Sequence, residues 1–222
     1  MNSPSGAPIE LRLSRSAKEL RRWQPVLNDQ VDDAATLVAG AQRRVHEIAT
    51  RVAVPSEDAR GHLENSILPG AALYLECRSR FGPDRALALA RACFTASAER
   101  QARPFHLIDR TPWLFPILRR WGKQMLQRSF SEPAFGMRWI EDSPQRVRFD
   151  MTRCFYLDTL TTLGIPELTV EYCHGDEVLY GDLQHLEFVR SGTLAQGCDV
   201  CDFCFDRRAG GVRRTRTERT RK

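Results

Sequence analysis

Three short stretches in the last third of the chain carry side chains that can attack a carbon or move a proton. They are Arg153-Cys154, Cys173-His174-Gly175-Asp176-Glu177 and Cys198-Asp199-Val200-Cys201-Asp202-Phe203-Cys204. A thiolate is a strong nucleophile, and a nearby cation or a helix start makes it easier to form. Each stretch thus offers a thiol: Cys154, Cys173, and those of Cys198, Cys201 and Cys204. Cys173 and Asp176 lie three apart and share a helical face, so Asp176 can serve as acid–base or orienting carboxylate toward a thiol or a water. His174 adjoins Cys173, but neighbours on a helix diverge by about 100° and do not face each other. Arg190, beside the turn Ser191-Gly192-Thr193, can clamp a substrate carboxylate with two parallel hydrogen bonds, and Arg153 can do the same or lower the pKa of Cys154.

The spacing of Cys198, Cys201 and Cys204 resembles a zinc or iron–sulfur half-site. On a regular strand, residues three apart point to opposite faces, and Cys201, Phe203 and Phe205 alternate with Asp202, Cys204 and Asp206. No metal and no cofactor is expected. Cys77 and Cys93 lie among Ala and Leu and read as small core residues.

These groups can meet only if the elements that carry them converge. Val31, Ala34, Ala35, Val38, Val45, Ile48 and Val52 recur at helical spacing and predict a helix between Asn28 and Val52, ended by Pro55. A second helix starts near Ser56 and should break or kink at Pro69-Gly70. After Gly82-Pro83, residues Asp84 to Arg100 predict a buried helix. Thr111-Pro112 predicts a cap, with Trp113, Ile117, Trp121 and Leu126 on the following helix's apolar side. Beyond Pro133 the period changes to two. Arg146 to Met151 predicts a strand paired across Asp142-Ser143-Pro144 with Met137 to Glu141. Thr152 to Leu163 and Pro166 to Tyr180 predict helices, and Leu183 to Arg190 and Val200 to Phe205 predict a closing pair of strands. The sum is an α+β fold, a helical N-terminal half packed against a small antiparallel sheet in the C-terminal half. One domain is expected over 21–206, between an unstructured arm over 1–20 and a basic tail over 207–222.

Composition narrows the function. The chain has 222 residues, 42 % apolar and 27 % charged, and no apolar run long enough to span a bilayer. Its net charge of +5 comes from the end: Arg207 to Lys222 holds eight basic residues and one acidic, leaving a net −2 over residues 1–206. With no cationic surface or groove-entering motif in the folded part, no specific nucleic-acid partner is expected. No membrane partner is expected either. The N-terminus lacks the pattern of a secretory signal, and seven cysteines without that context read as thiols, so a cytoplasmic protein is expected, monomeric or a homodimer.

The succession Thr152-Arg153-Cys154-Phe155-Tyr156, Leu163-Gly164-Ile165-Pro166-Glu167-Leu168, Cys173-x-x-Asp176-Glu177 and Arg190 to Gly197 leading to Cys201-Asp202-Phe203 resembles the L-2-amino-thiazoline-4-carboxylic acid hydrolase family. The resemblance implies hydrolytic opening of a cyclic amidine, with a small-molecule substrate. It implies Cys154, Cys173, Asp176 and Cys201 as catalytic candidates, and Arg153, Arg190, Thr193 and Asp202 as substrate-binding candidates. Which cysteine attacks stays open. Two alternatives stand beside it: a non-catalytic binder of small molecules of the 4-vinyl reductase-like type, and a domain organised by metal at its cysteines.

Overall fold

The structure, a computed structural model, describes residues 10–208. Helix α1 (Leu13–Asn28) takes residues 13–20 out of the arm expected over 1–20, of which residues 1–9 lie outside the described residues. Its stripe Ser16, Glu19, Leu20, Trp23 and Leu27 is buried, and two of those five positions are polar. Each polar group has a partner: the Ser16 hydroxyl donates to Glu64 O at 2.7 Å, and Glu19 accepts from Arg100 at 2.6 Å and Ser97 at 2.9 Å. Burial of a polar group is tolerated when it is hydrogen-bonded, so the helix docks where an apolar count alone misses it. The helix expected from Asn28 begins instead at α2 (Ala34–Ala49), where Asp33 accepts the Thr36 N–H at 3.1 Å as an N-cap.

Pro69-Gly70 does not break the next helix. Helix α3 (Glu57–His62), capped by Ser56, runs through a π-turn (Leu63–Ile67) into α4 (Leu68–Phe81). The Leu68 N–H reaches back five residues to Leu63 O. That wider turn makes room for the Pro69 ring, which carries no N–H. Helix α5 (Pro83–Ile108) is longer than expected. Thr111-Pro112 does not cap a helix: α6 (Leu114–Ile117) starts later, continues through a π-turn (Leu118–Gly122) and ends as α7 (Lys123–Ser129). Leu114 and Phe115 are buried there, whereas Trp113, Ile117 and Trp121 face solvent.

The sheet comprises β1 (Gly136–Asp142), β2 (Arg146–Arg153), β3 (Leu186–Val189) and β4 (Cys201–Arg207), in the antiparallel order β1-β2-β4-β3. Val147, Phe149 and Met151 oppose Phe205, Phe203 and Cys201 on the inner face, with the Phe149 and Phe203 rings 5.1 Å apart and nearly parallel. Arg148 and Asp150 oppose Cys204 and Asp202 on the other face. Strand β3 is shorter than the expected Leu183–Arg190. The buried Asp109 carboxylate takes the N–H groups of Gln184 and of His185, the latter at 2.9 Å, before they can join a ladder. Arg207, expected in the tail, closes β4, its N–H on Gln145 O at 2.8 Å. Arg208, also expected in the tail, is held as well, its N–H on His185 O at 3.1 Å and its guanidinium on Leu183 O at 3.0 Å; residues 209–222 of that expected tail lie outside the described residues.

Between β2 and β3 run α8 (Phe155–Thr162) and α9 (Thr169–Tyr180). Helix α9 is fixed to α5 by Arg91, which grips the buried Glu171 carboxylate through two bonds of 2.6 and 2.8 Å. It also touches β3. The expected α+β architecture holds: a helical N-terminal half carries α9, and α9 meets a small antiparallel sheet.

Candidate active site

The chain leaves β2 at Arg153 and enters α8 one residue later, which leaves Cys154 extended (φ −131°, ψ 111°) at that helix's N-terminus. Cys173 and Asp176 sit one turn apart on α9. Cys201 opens β4 on the inner face, its sulfur accepting the Leu194 N–H at 3.2 Å. Arg190, just past β3, joins these elements. Its guanidinium donates to Asp176 Oδ2 at 2.7 Å and to the Cys173 carbonyl at 2.8 Å, and it lies 5.5 Å from the Phe188 ring centre and 5.3 Å from that of Phe203. Its side chain is 5 % exposed.

Burial governs the protons of this cluster. It pushes Asp176 from 3.8 up to about 6 against the pull of the Arg190 charge and hydrogen bond, with Glu177 adding a further push upward. The Asp176 side chain keeps a third of its surface open. Burial likewise pushes the Cys173 thiol up to about 12; Arg190 draws it down, while Asp176, Cys201 and Cys154 raise it. Cys154 is pushed up to about 11, with the Leu157 and Tyr156 N–H groups at the α8 start drawing it back. Cys201 is also raised by burial, against the Leu194 N–H and Arg190. The three thiols, Asp176 and Arg190 thus share one electrostatic neighbourhood, in which the thiols are protonated at neutral pH and the carboxylate sits near its titration point.

The other candidates fall differently. Arg153 points to solvent and pairs with Asp158 at 3.0 Å, so it neither clamps nor activates Cys154 from that position. Arg190 is no open clamp: its side chain is almost wholly buried, and each terminal nitrogen already donates one hydrogen, to Asp176 and to the Cys173 carbonyl. Asp202 accepts from Ser191 N and Gly192 N at 2.9 Å each and from Ser191 Oγ at 2.6 Å. Thr193 is buried and donates to Gln196 at 3.0 Å. Both hold the loop between β3 and β4 in shape. Cys198 is exposed in that loop, Cys201 faces inward and Cys204 lies on the opposite face of β4, so one ion cannot reach all three. Among the described residues no group of His, Cys, Asp and Glu is placed to hold a metal. His174 pairs with Glu177 at the surface at 3.4 Å. Cys77 and Cys93 are sealed in the core.

Two side chains that the sequence reading did not single out border the cluster. Tyr156, on the first turn of α8, feels the charges of Cys154 and Asp176, and burial raises its phenol. Its hydroxyl is 3.0 Å from Nδ1 of His62 in α3, while Nε2 of His62 is 2.7 Å from the Ser129 carbonyl. The carbonyl can only accept, so Nε2 carries the proton and Nδ1 accepts from Tyr156. Burial lowers the pKa of His62, consistent with a neutral ring. The second is Tyr172, ring centre 4.9 Å from that of Tyr156, whose hydroxyl reaches Ser66 O at 2.9 Å across the one place where Gly70 leaves room for it. No local sequence signal pairs residue 62 with residue 156.

The model of the L-2-amino-thiazoline-4-carboxylic acid hydrolase family matches residues 60–205, an interval that contains every group of this cluster. No curated protein and no solved structure matches the chain.

Proposed function

The chain belongs to the L-2-amino-thiazoline-4-carboxylic acid hydrolase family, and on that premise we propose that it hydrolyses a cyclic amidine such as 2-amino-thiazoline-4-carboxylate. The observation that supports this reading is a carboxylate pushed up to about 6, Asp176, whose charge acts on the Cys173 and Cys201 thiols, with the Cys154 thiol interacting with both of those. A general base works best when its pKa lies near the working pH. Asp176 is that base.

Cys154 is the proposed nucleophile. Two backbone N–H groups at the start of α8 offset part of the burial that holds its thiol up at about 11, and its side chain is half-buried where that of Cys201 is buried. Asp176 takes the thiol proton, and the sulfur adds to the ring carbon that lies between nitrogen and sulfur. The tetrahedral centre collapses by breaking the ring carbon–sulfur bond, because a thiol is a better leaving group than an amine. The departing sulfur takes the proton back. Water then adds to the enzyme-bound isothiourea carbon and displaces Cys154, giving N-carbamoyl-cysteine and the free enzyme thiol. Arg190, bonded to Asp176, is the cation available to the substrate carboxylate, in exchange for its present partner.

Incubation with 2-amino-thiazoline-4-carboxylate, followed by product mass, tests this. Turnover by the wild type is expected, with Cys154→Ala and Asp176→Asn each losing at least a hundredfold in kcat. Cys173→Ala and Cys201→Ala should retain turnover. Full activity in Cys154→Ala would reassign attack to a water activated by Asp176. Binding without any turnover would return the protein to the class of small-molecule binders.

A further inference from the structure

The helix α6–α7 presents an apolar row to solvent: Trp113, Ile117, Trp121 and Met125, with the two tryptophans 65 % and 60 % exposed. A spacing of four drifts around a regular α-helix. The π-turn at 118–122 advances less per residue and takes back part of that drift, keeping the row on one side. Beside it lies a cavity of about 600 Å³ between this helix and the turn joining β1 to β2, floored in part by Phe115. Arg119, Arg120, Lys123 and Arg207 line it against one carboxylate, Asp142. Arg119 takes that carboxylate at 2.7 Å. Arg120 lies over the Trp121 ring and Lys123 over the Trp139 ring, at 5.2 and 4.9 Å. Among the described residues, Arg120, Lys123 and Arg207 have no carboxylate within ion-pair distance.

Against the sequence expectation of no cationic surface and no membrane partner, we infer that this face docks in the plane of an acidic phospholipid bilayer, the tryptophan row entering the interface and the cationic cavity receiving lipid phosphates. Exposed tryptophans beside unneutralised cations match the two layers of such a surface, apolar chains below and anionic headgroups above. A second copy of this patch would bring those cations one carboxylate, Asp142, which Arg119 already holds. No helix among the described residues is long and apolar enough to cross a membrane, and in-plane docking needs none. The cavity lies at the Arg207 end of β4 and Cys201 at its other end, and the proposal does not depend on the hydrolase reading.

Flotation of the full chain with vesicles tests this, comparing phosphatidylcholine alone with phosphatidylcholine containing phosphatidylserine. Binding to the acidic vesicles only is expected, with a blue shift of tryptophan emission, since Trp23 is buried and the exposed tryptophans must move into lipid. Arg120→Gln/Lys123→Gln should weaken partitioning about 30-fold, from roughly fivefold per cation. Trp113→Ser/Trp121→Ser should abolish flotation although it leaves the basic stretch past residue 208 untouched. Flotation that survives this variant would mean that the basic stretch alone binds, and would overturn the proposal. So would absence of binding, equal binding to neutral vesicles, or a stable dimer in solution that Trp121→Ser dissociates.

Discussion

Replacing Arg190 with Met removes the cation of the cluster while keeping an apolar stem over Phe188 and Phe203. Two charge-assisted hydrogen bonds go with it, to Asp176 at 2.7 Å and to the Cys173 carbonyl at 2.8 Å. Breaking a buried ion pair costs about 3–5 kcal/mol. Asp176 keeps a third of its side chain in water, which screens the loss toward about 2–3 kcal/mol. The cost must also depend on pH. A carboxyl whose pKa is higher folded than unfolded stabilises the fold most at low pH, and that stability drains as pH rises through the folded value. In the wild type the window runs from 3.8 to about 6. Without Arg190 the two influences that hold Asp176 down disappear, so its folded value rises and the window extends upward. Urea midpoints at about pH 5 and about pH 8 should therefore show a greater loss in Arg190→Met at the higher pH, by about 1.4 kcal/mol for each unit that the carboxyl rises. An equal loss at both would mean that Arg190 does not hold down the Asp176 proton, and the reasoning for a tuned base would fail.

Two further outcomes follow from the same geometry. Tyr156→Phe leaves Nδ1 of His62 without its donor in a half-buried setting, so the variant should lose about 1–2 kcal/mol in a urea titration while keeping its fold by circular dichroism. The acid limb of kcat/KM for a cyclic amidine should bend near about 6, because Asp176 acts only when ionised; Asp176→Asn should lose that limb together with most of the rate.

The sheet and its helices were legible because strand residues alternate without interruption. Arg146 to Met151 and Cys201 to Phe205 declare an inner and an outer face, and the same alternation separates Cys201 from Cys204. The order of elements after Pro133 followed from Gly164, Pro166 and the turn at Ser143-Pro144. Helix α1 was hidden because its buried stripe includes Ser16 and Glu19, whose partners, Glu64 and Arg100, lie far along the chain. The exposed row on α6–α7 was misassigned to the core because both sides of that helix are apolar: Leu114, Phe115 and Leu118 compete with Trp113, Ile117 and Trp121, and periodicity cannot choose between them. In the site, the thiols and Asp176 were visible as residue types. The engagement of Arg190, the surface position of Arg153 and the approach of His62 to Tyr156 are long-range facts that no spacing encodes.

Arg190 holds a carboxylate that the proposed reaction needs free, and this engagement has a chemical use. A substrate carboxylate that grips both terminal nitrogens of Arg190 must compete with Asp176 on one and with the Cys173 carbonyl on the other. As the substrate carboxylate draws the cation away, Asp176 loses what keeps its pKa down and becomes a stronger base. The change occurs only when the amidine ring is present beside the thiols. Until a substrate carboxylate competes, the same Arg190 restrains the base and, against the aromatic rings of Phe188 and Phe203, ties α9 to the sheet. On the proposed reading, one cation therefore links substrate recognition to proton removal, and an amidine without a carboxylate would meet a weaker base even if its ring were otherwise well placed.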